Sequence, residues 1–341
     1  MRTGLEPGVE MRLYPWPTFR RAASLAGKFA FSALLLLLLS RQIRLESVME
    51  TLGRARGQWI AAATVLFAAS LLLGCHQWRL LLKGEDIDLS WMKSLEFYFI
   101  GLFFNNVLVG GVSGDIFRVI DVRRHSRKGT ASVSTVFLDR IMGFFVLSAM
   151  AVLAAPWFLF KHESAWFIGL FLGLFAAAWA FFLLLLFSRR FGKPFGWILK
   201  KILPAGKVGK FRDVHGRITG FVRNKRLFWS VTGLSVLIQA ARIMTHYMLG
   251  RSIGIQVSAG YFLLFIPVIA VISSLPVTFG GIGIREQAGV ILFGAAGVQA
   301  ADASIMEFMA FLVAVATSIP GLPAFLFRKR AEQTPCIETQ S

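Results

Sequence analysis

The chain has 341 residues, of which 56% are hydrophobic and only 16% are charged, whereas soluble domains have about 45–50% and about 25%. With 33 phenylalanines as well, the composition excludes an ordinary soluble two-domain protein. The net charge of +19 could indicate a nucleic-acid binder, but twelve of the 37 basic residues lie between residues 189 and 226, next to an apolar run. Such clusters are typical of cytoplasmic loops of membrane proteins. We therefore expect an all-α integral membrane protein with no nucleic-acid partner.

Six apolar segments are long enough to cross the hydrocarbon core, which needs about 20 residues. In chain order they are Ala22–Ser40, Trp59–Trp78, Ala131–Pro156, Trp166–Phe187, Leu227–Gly250 and Ala303–Phe327. Tryptophans near their ends are expected to anchor them at the membrane interface: Trp59, Trp78, Trp91 and Trp166.

The segments divide the chain into two membrane units joined by basic stretches. Residues 1–21 form a basic N-terminal segment, and residues 22–156 form the first unit, with a hairpin near 98–118. Residues 157–187 supply an outer loop and a linking span, followed by a basic loop over 188–226. The second unit continues over 227–327 with a hairpin near 261–298, and the tail covers 328–341.

Both hairpin stretches are too short, or too rich in glycine and charge, to be ordinary spans. They either cross as broken helices or enter part-way and return as re-entrant half-helices, which requires burial in protein or a wet cavity. If both cross, nine basic residues fall on the outer side; if both re-enter, six do. Because basic residues are disfavoured on the outer side, the lower count favours re-entrant hairpins, with both termini in the cytoplasm.

This arrangement places the same order of elements in both halves, in opposite orientation. The glycine clusters that begin at Gly110 and Gly280 are 170 residues apart (280 − 110). Inverted repeats with discontinuous helices near the midplane are typical of transporters. The sequence therefore predicts an inverted repeat.

Polar residues surround the glycines of the first hairpin. The candidate head-group residues are Asn105, Asn106, Gly110, Gly111, Gly114, Asp115 and Arg118. If Gly114 or Asp115 begins a helix, its free N–H groups can hold an anion, and Arg118 can add a bidentate contact to phosphate. The alternative is structural, with Asp115 as an N-cap that pairs with Arg118.

Charged residues also occur inside predicted spans, where they are costly and normally face the bundle interior. Asp139 and Arg140 point about 100° apart on a helix, so we expect one to pair with another helix, through Arg242 or Asp115. Gln239 and Arg242 share a face and could either complete a polar lining or form a satisfied core pair. Glu307, near the start of the last span, is expected to be interfacial.

The second hairpin carries the strongest functional signal. Its candidate residues are Pro276, Gly280, Gly281, Gly283, Arg285 and Glu286. Pro276 is expected to stop one half-helix, and Arg285 and Glu286 to open the next, where a glutamate suits the positive helix end. An arginine buried at such a tip indicates contact with a head group.

Motifs of soluble catalysis are missing from the sequence. There is no phosphate-binding loop, no hydrolase nucleophile elbow, and the five histidines are scattered without metal-ligand spacing. We therefore expect no cofactor, no metal and no enzymatic activity.

Three segments resemble, in the same order, motifs of the lysylphosphatidylglycerol synthase transmembrane-region family, also called flippase-like domain proteins. Residues 101–105 and 110–118 are similar to its Gly-rich Gly-Asp-x-x-Arg motif, and residues 138–143 to its acid-Arg-x-x-Gly motif. Residues 275–286 are similar to its Leu-Pro-x-x-x-Gly-Gly-x-Gly-x-x-Glu motif. The resemblance spans roughly residues 20 to 330, and it departs from the family at Val109, where a proline is usual.

The resemblance implies a translocase in the cell inner membrane for an anionic amphiphilic lipid, such as a phospholipid, a hopanoid or a polyprenyl-phosphate-linked intermediate. The alternative is an accessory protein that presents a lipid intermediate to a separate biosynthetic enzyme. Transport would be downhill or coupled to an ion or proton, with Asp115, Asp139 and Glu286 as proton-carrier candidates. The lipid and the oligomeric state do not follow from the sequence.

Overall fold

The computed structural model describes residues 49–51, 53–107, 113–161, 205–274 and 281–327, together with the single residues 169, 173, 177 and 179. Regular structure in these parts of the chain is entirely helical, as the composition predicts. The helices are α1 (Gly57–Gly84), α2 (Trp91–Val107), α3 (Ser113–Ser126), α4 (Gly129–Lys161), α5 (Ala205–Arg223), α6 (Lys225–Ser252), α7 (Ala259–Ser273), α8 (Ile284–Gly294), α9 (Ala300–Ser318) and α10 (Gly321–Leu326).

Four of the six predicted spans correspond to helices long and apolar enough to cross a membrane: Gly57–Gly84, Gly129–Pro156, Lys225–Ser252 and Ala300–Leu326. The last is divided between α9 and α10 at Pro320, which cannot continue a helical hydrogen-bond ladder. The predicted span Ala22–Ser40, and all but four single residues of Trp166–Phe187, lie outside the described residues.

Each hairpin stretch forms two antiparallel helices. In the first, Asn105 contacts Gly114 close to the turn, while Gly101 contacts Arg118 farther along both arms. In the second, Gly281 lies against Ser273, and Phe265 packs edge-on against Phe293 with ring centroids 5.2 Å apart. The residues between the arms, 108–112 and 275–280, lie outside the described residues.

The two halves follow one plan. α1 and α6 each contain 28 residues, and each is followed by six linking residues, 85–90 and 253–258, before a helix pair and another long helix. α1 packs along α6. Packing between the halves is reciprocal, because α7 lies against α4, while α2 lies against α9 and α10.

The stretch predicted as the basic loop 188–226 contains a helix, α5, in its described part. Apolar residues at 214, 218, 221 and 222 follow helical spacing and form one face. Ile218 and Phe221 are buried in a cluster with Leu81, Leu138 and Val231. The abundance of basic residues obscures this face in the sequence.

Trp78 is not an interface anchor. Its side chain is fully buried, and the guanidinium of Arg118 lies over its ring, 4.3 Å from the centroid. The expectation was wrong because tryptophan at the end of an apolar run can equally supply a face for a buried cation.

Candidate functional site

The two halves enclose a cavity of about 790 Å³ between the long helices and the hairpin arms. Pockets for small ligands typically measure about 300–1,000 Å³, so the volume suits a head group. The acidic, basic and histidine side chains that line it are Asp115, Arg118, Asp139, Arg140, Arg242, His246, Arg285 and Glu307.

The first hairpin and α4 together form a balanced network of two acids and two arginines. Arg118 donates to Asp139 at 3.0 Å, and its other terminal nitrogen lies 3.6 Å from Asp115. Arg140 Nε donates to the second carboxylate oxygen of Asp115 at 2.7 Å. These contacts confirm that Arg140 pairs with Asp115, and they place Asp139 on Arg118 instead of on Arg242.

Neutral groups complete this network. Gln77 donates to Asp139 at 3.0 Å and accepts from the Ser235 hydroxyl at 2.7 Å. Tyr98 lies on Arg118 with 4.8 Å between the guanidinium carbon and the ring centroid. Because Arg118 is buried between two carboxylates and two aromatic rings, its charge is compensated inside the protein.

The beginning of α3 is occupied by the protein's own side chains. The helix starts at Ser113, so Asp115 lies in its first turn and is not the N-cap. The Gly114 N–H donates to Asn105 Oδ1 at 2.9 Å, and Asn105 Nδ2 donates to Asp115 at 3.3 Å. The Gly114 N–H is therefore not free for an anion. Gly110 and Gly111 lie outside the described residues.

Asn106 connects the first hairpin to the last span. Its amide donates to the Ala314 carbonyl and to the Ser318 hydroxyl, both at 3.1 Å. The side chain lines the cavity, but both hydrogen bonds of its amide nitrogen join α2 to α9.

Two further arginines face the cavity without such compensation. Neither Arg242 nor Arg285 forms an ion pair with any described residue. Arg242 Nε is buried and has no hydrogen-bond partner among the described residues. Gln239, three residues earlier, also lines the cavity and donates to the Gly143 carbonyl at 3.2 Å.

Arg285 lies in the first turn of α8, as the sequence predicts. Gly281 and Gly283 have φ of +82° and +87°, a region that favours glycine. Glu286 Oε2 accepts from the Gly283 N–H at 2.6 Å. Its carboxylate thus caps the helix, and Glu286 is not among the cavity-lining residues. Pro276 and Gly280 lie outside the described residues.

The sequence-based prediction for Glu307 was wrong, and His246 was not singled out. Glu307 is fully buried, not interfacial, and its Oε2 lies 3.7 Å from His246 Nε2. A usable signal was present, because Glu307, Ala310, Ala314 and Ser318 recur at helical spacing and all line the cavity. A stripe of small or polar residues on an otherwise apolar helix indicates the face that points into the helix bundle.

Metal ligation has no apparent basis in the described parts of the chain, where no three His, Cys, Asp or Glu side chains are grouped to hold an ion. The chemistry available in the cavity is that of guanidinium groups, one histidine and carboxylates. Such groups bind anions and protons.

Comparison with known proteins gives two matches. The family profile described as lysylphosphatidylglycerol synthase TM region matches residues 25–321. A UPF0104 membrane protein of Pyrococcus horikoshii is 26% identical over 314 residues, which cover 84% of this chain and 92% of the relative. The profile match covers the cavity, both hairpins and all the described helices up to α9, and it ends at the first residue of α10.

Proposed function

This chain belongs to the lysylphosphatidylglycerol synthase transmembrane-region family, and we propose that it is a flippase-like translocase for an anionic amphiphilic lipid in the cell inner membrane. Phospholipids, hopanoids and polyprenyl-phosphate-linked intermediates are the candidate classes. The observation that carries the proposal is the pair Arg242 and Arg285, which line an internal cavity without an ion pair among the described residues.

The charge balance of the cavity favours an anionic ligand. Asp115 and Asp139 are matched by Arg118 and Arg140, so among the side chains that line the cavity Arg242 and Arg285 leave an excess of positive charge even when Glu307 is ionised. Charge away from water is costly, and a phosphate group would offset that cost. Guanidinium groups also match phosphate oxygens bidentately.

The cavity wall supports a lipid over a water-soluble anion. Ile116, Val133 and Phe137 line the cavity, and each side chain is exposed although it is apolar. Apolar side chains at the cavity wall would let acyl or prenyl tails remain among apolar groups of the protein and the bilayer. Only the head group then needs to enter the polar interior.

Contacts at the two ends of α1 support re-entrant hairpins. α1 is about 42 Å long at 1.5 Å per residue. At one end, Lys128 Nζ donates to the carbonyls of Glu85 and Asp86, so the first hairpin leaves and returns at the same end.

At the other end of α1, the Arg56 N–H donates to the Ser252 carbonyl, and the Thr51 hydroxyl donates to Asp302. The second hairpin, between residues 252 and 302, therefore also returns to its starting end.

We further propose that the protein is not itself an enzyme and that membrane lipids are its partners. With re-entrant hairpins, the end at Glu85 faces the cytoplasm, because the basic residues concentrate there. Both termini are then cytoplasmic.

The test is lipid movement by purified protein in vesicles. Phosphatidylglycerol that carries a fluorescent group on one acyl chain is placed in both leaflets and exposed to an impermeant quencher, and the fraction quenched reports transfer between leaflets. Wild-type protein should make nearly all the label accessible. Phosphatidylcholine with the same label should move more slowly, because it lacks net charge.

Replacing the two uncompensated arginines identifies the head-group site. Arg285→Ala or Arg242→Ala removes charge-assisted hydrogen bonds worth about 1.5–3 kcal/mol, so lipid affinity should fall roughly ten- to hundredfold. Arg285→Lys keeps the charge but loses the paired N–H donors of the guanidinium, and should impair transport partly. Arg124→Ala, at the exposed end of α3, is the matched control and should transport normally.

Two outcomes oppose the proposal. If wild-type protein binds the lipid without moving it, the accessory role is correct. If Arg242→Ala and Arg285→Ala both retain wild-type stability and transport rate, these arginines are not the head-group site.

A further inference from the structure

Glu307 differs from every other carboxylate of the cavity. Asp115 and Asp139 are held by arginines at 2.7 and 3.0 Å. Glu307 is 0% exposed in its side chain, and neither of its oxygens has a hydrogen-bond partner among the described residues. A buried carboxylate without hydrogen bonds is costly when ionised, and uptake of a proton removes that cost.

His246 provides a second proton acceptor beside it. The ring Nδ1 lies 2.9 Å from the Arg242 carbonyl, and because a carbonyl can only accept, the proton of the neutral ring is on Nδ1. Nε2 therefore presents its lone pair to Glu307 Oε2, 3.7 Å away. This distance is longer than a hydrogen bond, but a small displacement of either helix would close it.

The surroundings of the pair connect it to the proposed head-group site. Arg285 acts electrostatically on both Glu307 and His246, and Glu286 acts on Glu307. Arg242 supplies the carbonyl that holds His246. α1 and α2 also pack on α9, and neither contributes an acidic, basic or histidine side chain to the described cavity lining. Glu307 thus competes with any bound anion for the charge of Arg285.

We propose that Glu307 and His246 form a proton-binding site whose occupancy is coupled to binding of an anionic head group at Arg242 and Arg285. This inference rests on the proposed function, since it assigns proton coupling to lipid binding in the same cavity. A phosphate beside ionised Glu307 is repelled, so each anionic head group that binds favours uptake of one proton. By reciprocity, protonation of the pair strengthens lipid binding.

The assignment differs from the candidates that the sequence suggested. Asp115 and Asp139 would have to break ion pairs to take up a proton, and Glu286 would have to release the Gly283 N–H. Glu307 gives up no hydrogen bond on protonation.

The experiment measures binding of short-chain phosphatidylglycerol to purified protein in detergent as a function of pH. The phosphodiester of this probe does not titrate in the range used, so a change in affinity belongs to the protein. Wild-type affinity should rise by about tenfold or more from mildly alkaline to mildly acid pH, within the usual range of coupling between sites. Glu307→Gln should bind tightly throughout, because it resembles the protonated state.

Glu96→Gln is the matched control. Glu96 lies on α2 in an ion pair with Lys93 and does not line the cavity, so its variant should keep the wild-type pH dependence. His246→Gln should move the transition to another pH without removing it, because Glu307 remains.

A second measurement uses wild-type protein and does not depend on a variant. Addition of phosphatidylglycerol in weakly buffered solution should withdraw protons from the medium, and Glu307→Gln should not show this uptake. The inference is overturned if wild-type binding is independent of pH, if lipid binding takes up no proton, or if Glu307→Gln is as pH-dependent as wild type. If phosphatidylglycerol binds at no pH, the proposed function fails as well.

Discussion

At the residue scale, the cavity contains arginines of two kinds that the sequence cannot distinguish. Arg118 is only 5% exposed and pairs with two carboxylates, and the side chain of Arg140, which pairs with one, is 38% exposed. Arg242 and Arg285 have no such partners among the described residues. All four occur near glycines or within apolar runs, so only the tertiary contacts separate compensated charges from available ones.

Arg118 is therefore expected to matter first for stability. Arg118→Ala leaves Asp139 buried without its cation, and breaking a buried pair costs about 3–5 kcal/mol. Arg140→Ala removes a half-exposed partner and should cost much less, since screening by water weakens the interaction. Thermal unfolding of both purified variants in one detergent checks the order. Equal midpoints would mean that the buried network does not stabilise the fold.

At the element scale, close contact between α2 and α3 positions this network. A Cβ on Gly114 would lie 1.7 Å from the Gly101 carbonyl oxygen, and a Cβ on Gly101 would lie 2.6 Å from Arg118 Cγ. The two glycines allow the backbones to touch, so that Asp115 and Arg118 reach α4.

Gly114→Ala should therefore separate the arms of the first hairpin and lower both thermal stability and lipid movement. Gly233→Ala is the matched control, because Gly233 lies exposed on α6 with nothing within 4 Å of an added Cβ. Alanine there should be neutral or should stabilise by up to about 1 kcal/mol. The measurements are unfolding midpoint and vesicle transport. If both variants behave alike, the close approach of α2 and α3 at Gly114 is not needed for stability or lipid transport.

Many of the helices and the helix pairs could be predicted from the sequence. Apolar run length places α1, α4 and α6, and the glycines mark where the helix pairs turn. Two features could not be predicted. The apolar face of α5 lies within a strongly basic stretch, and the proximity of Glu307 to His246 depends on packing between α9 and α6, which are distant in sequence.

At the scale of the whole molecule, the two ends of the helix bundle differ in charge. The end at Glu85 gathers the basic residues of the loops and helix ends around it: Lys83, Lys93, Arg123, Arg124, Arg127, Lys128, Arg217, Arg223, Lys225 and Arg226. The opposite end holds fewer basic residues, with Arg54, Arg56, Lys161 and Arg251 among those that the structure describes. This asymmetry favours a cytoplasmic location for the end at Glu85.

Accessibility of introduced cysteines tests this orientation. In a chain with Cys75 and Cys336 replaced, Gln299→Cys should react with an impermeant thiol reagent added outside cells, and Asp88→Cys should react only after the membrane is opened. Both positions are exposed in loops. If the hairpins crossed fully, the pattern would be reversed, and the inverted-repeat argument would fail with it.

The reciprocal packing of the halves limits how the chain can be engineered. α2 rests on the last span of the second half, where a Cβ on Gly321 would lie 2.1 Å from the Phe99 carbonyl oxygen, and α7 rests on α4. A half produced alone would lack the surface that covers its own hairpin. A split form must therefore have both pieces made in the same cell, and a screen for such forms should select for their co-assembly.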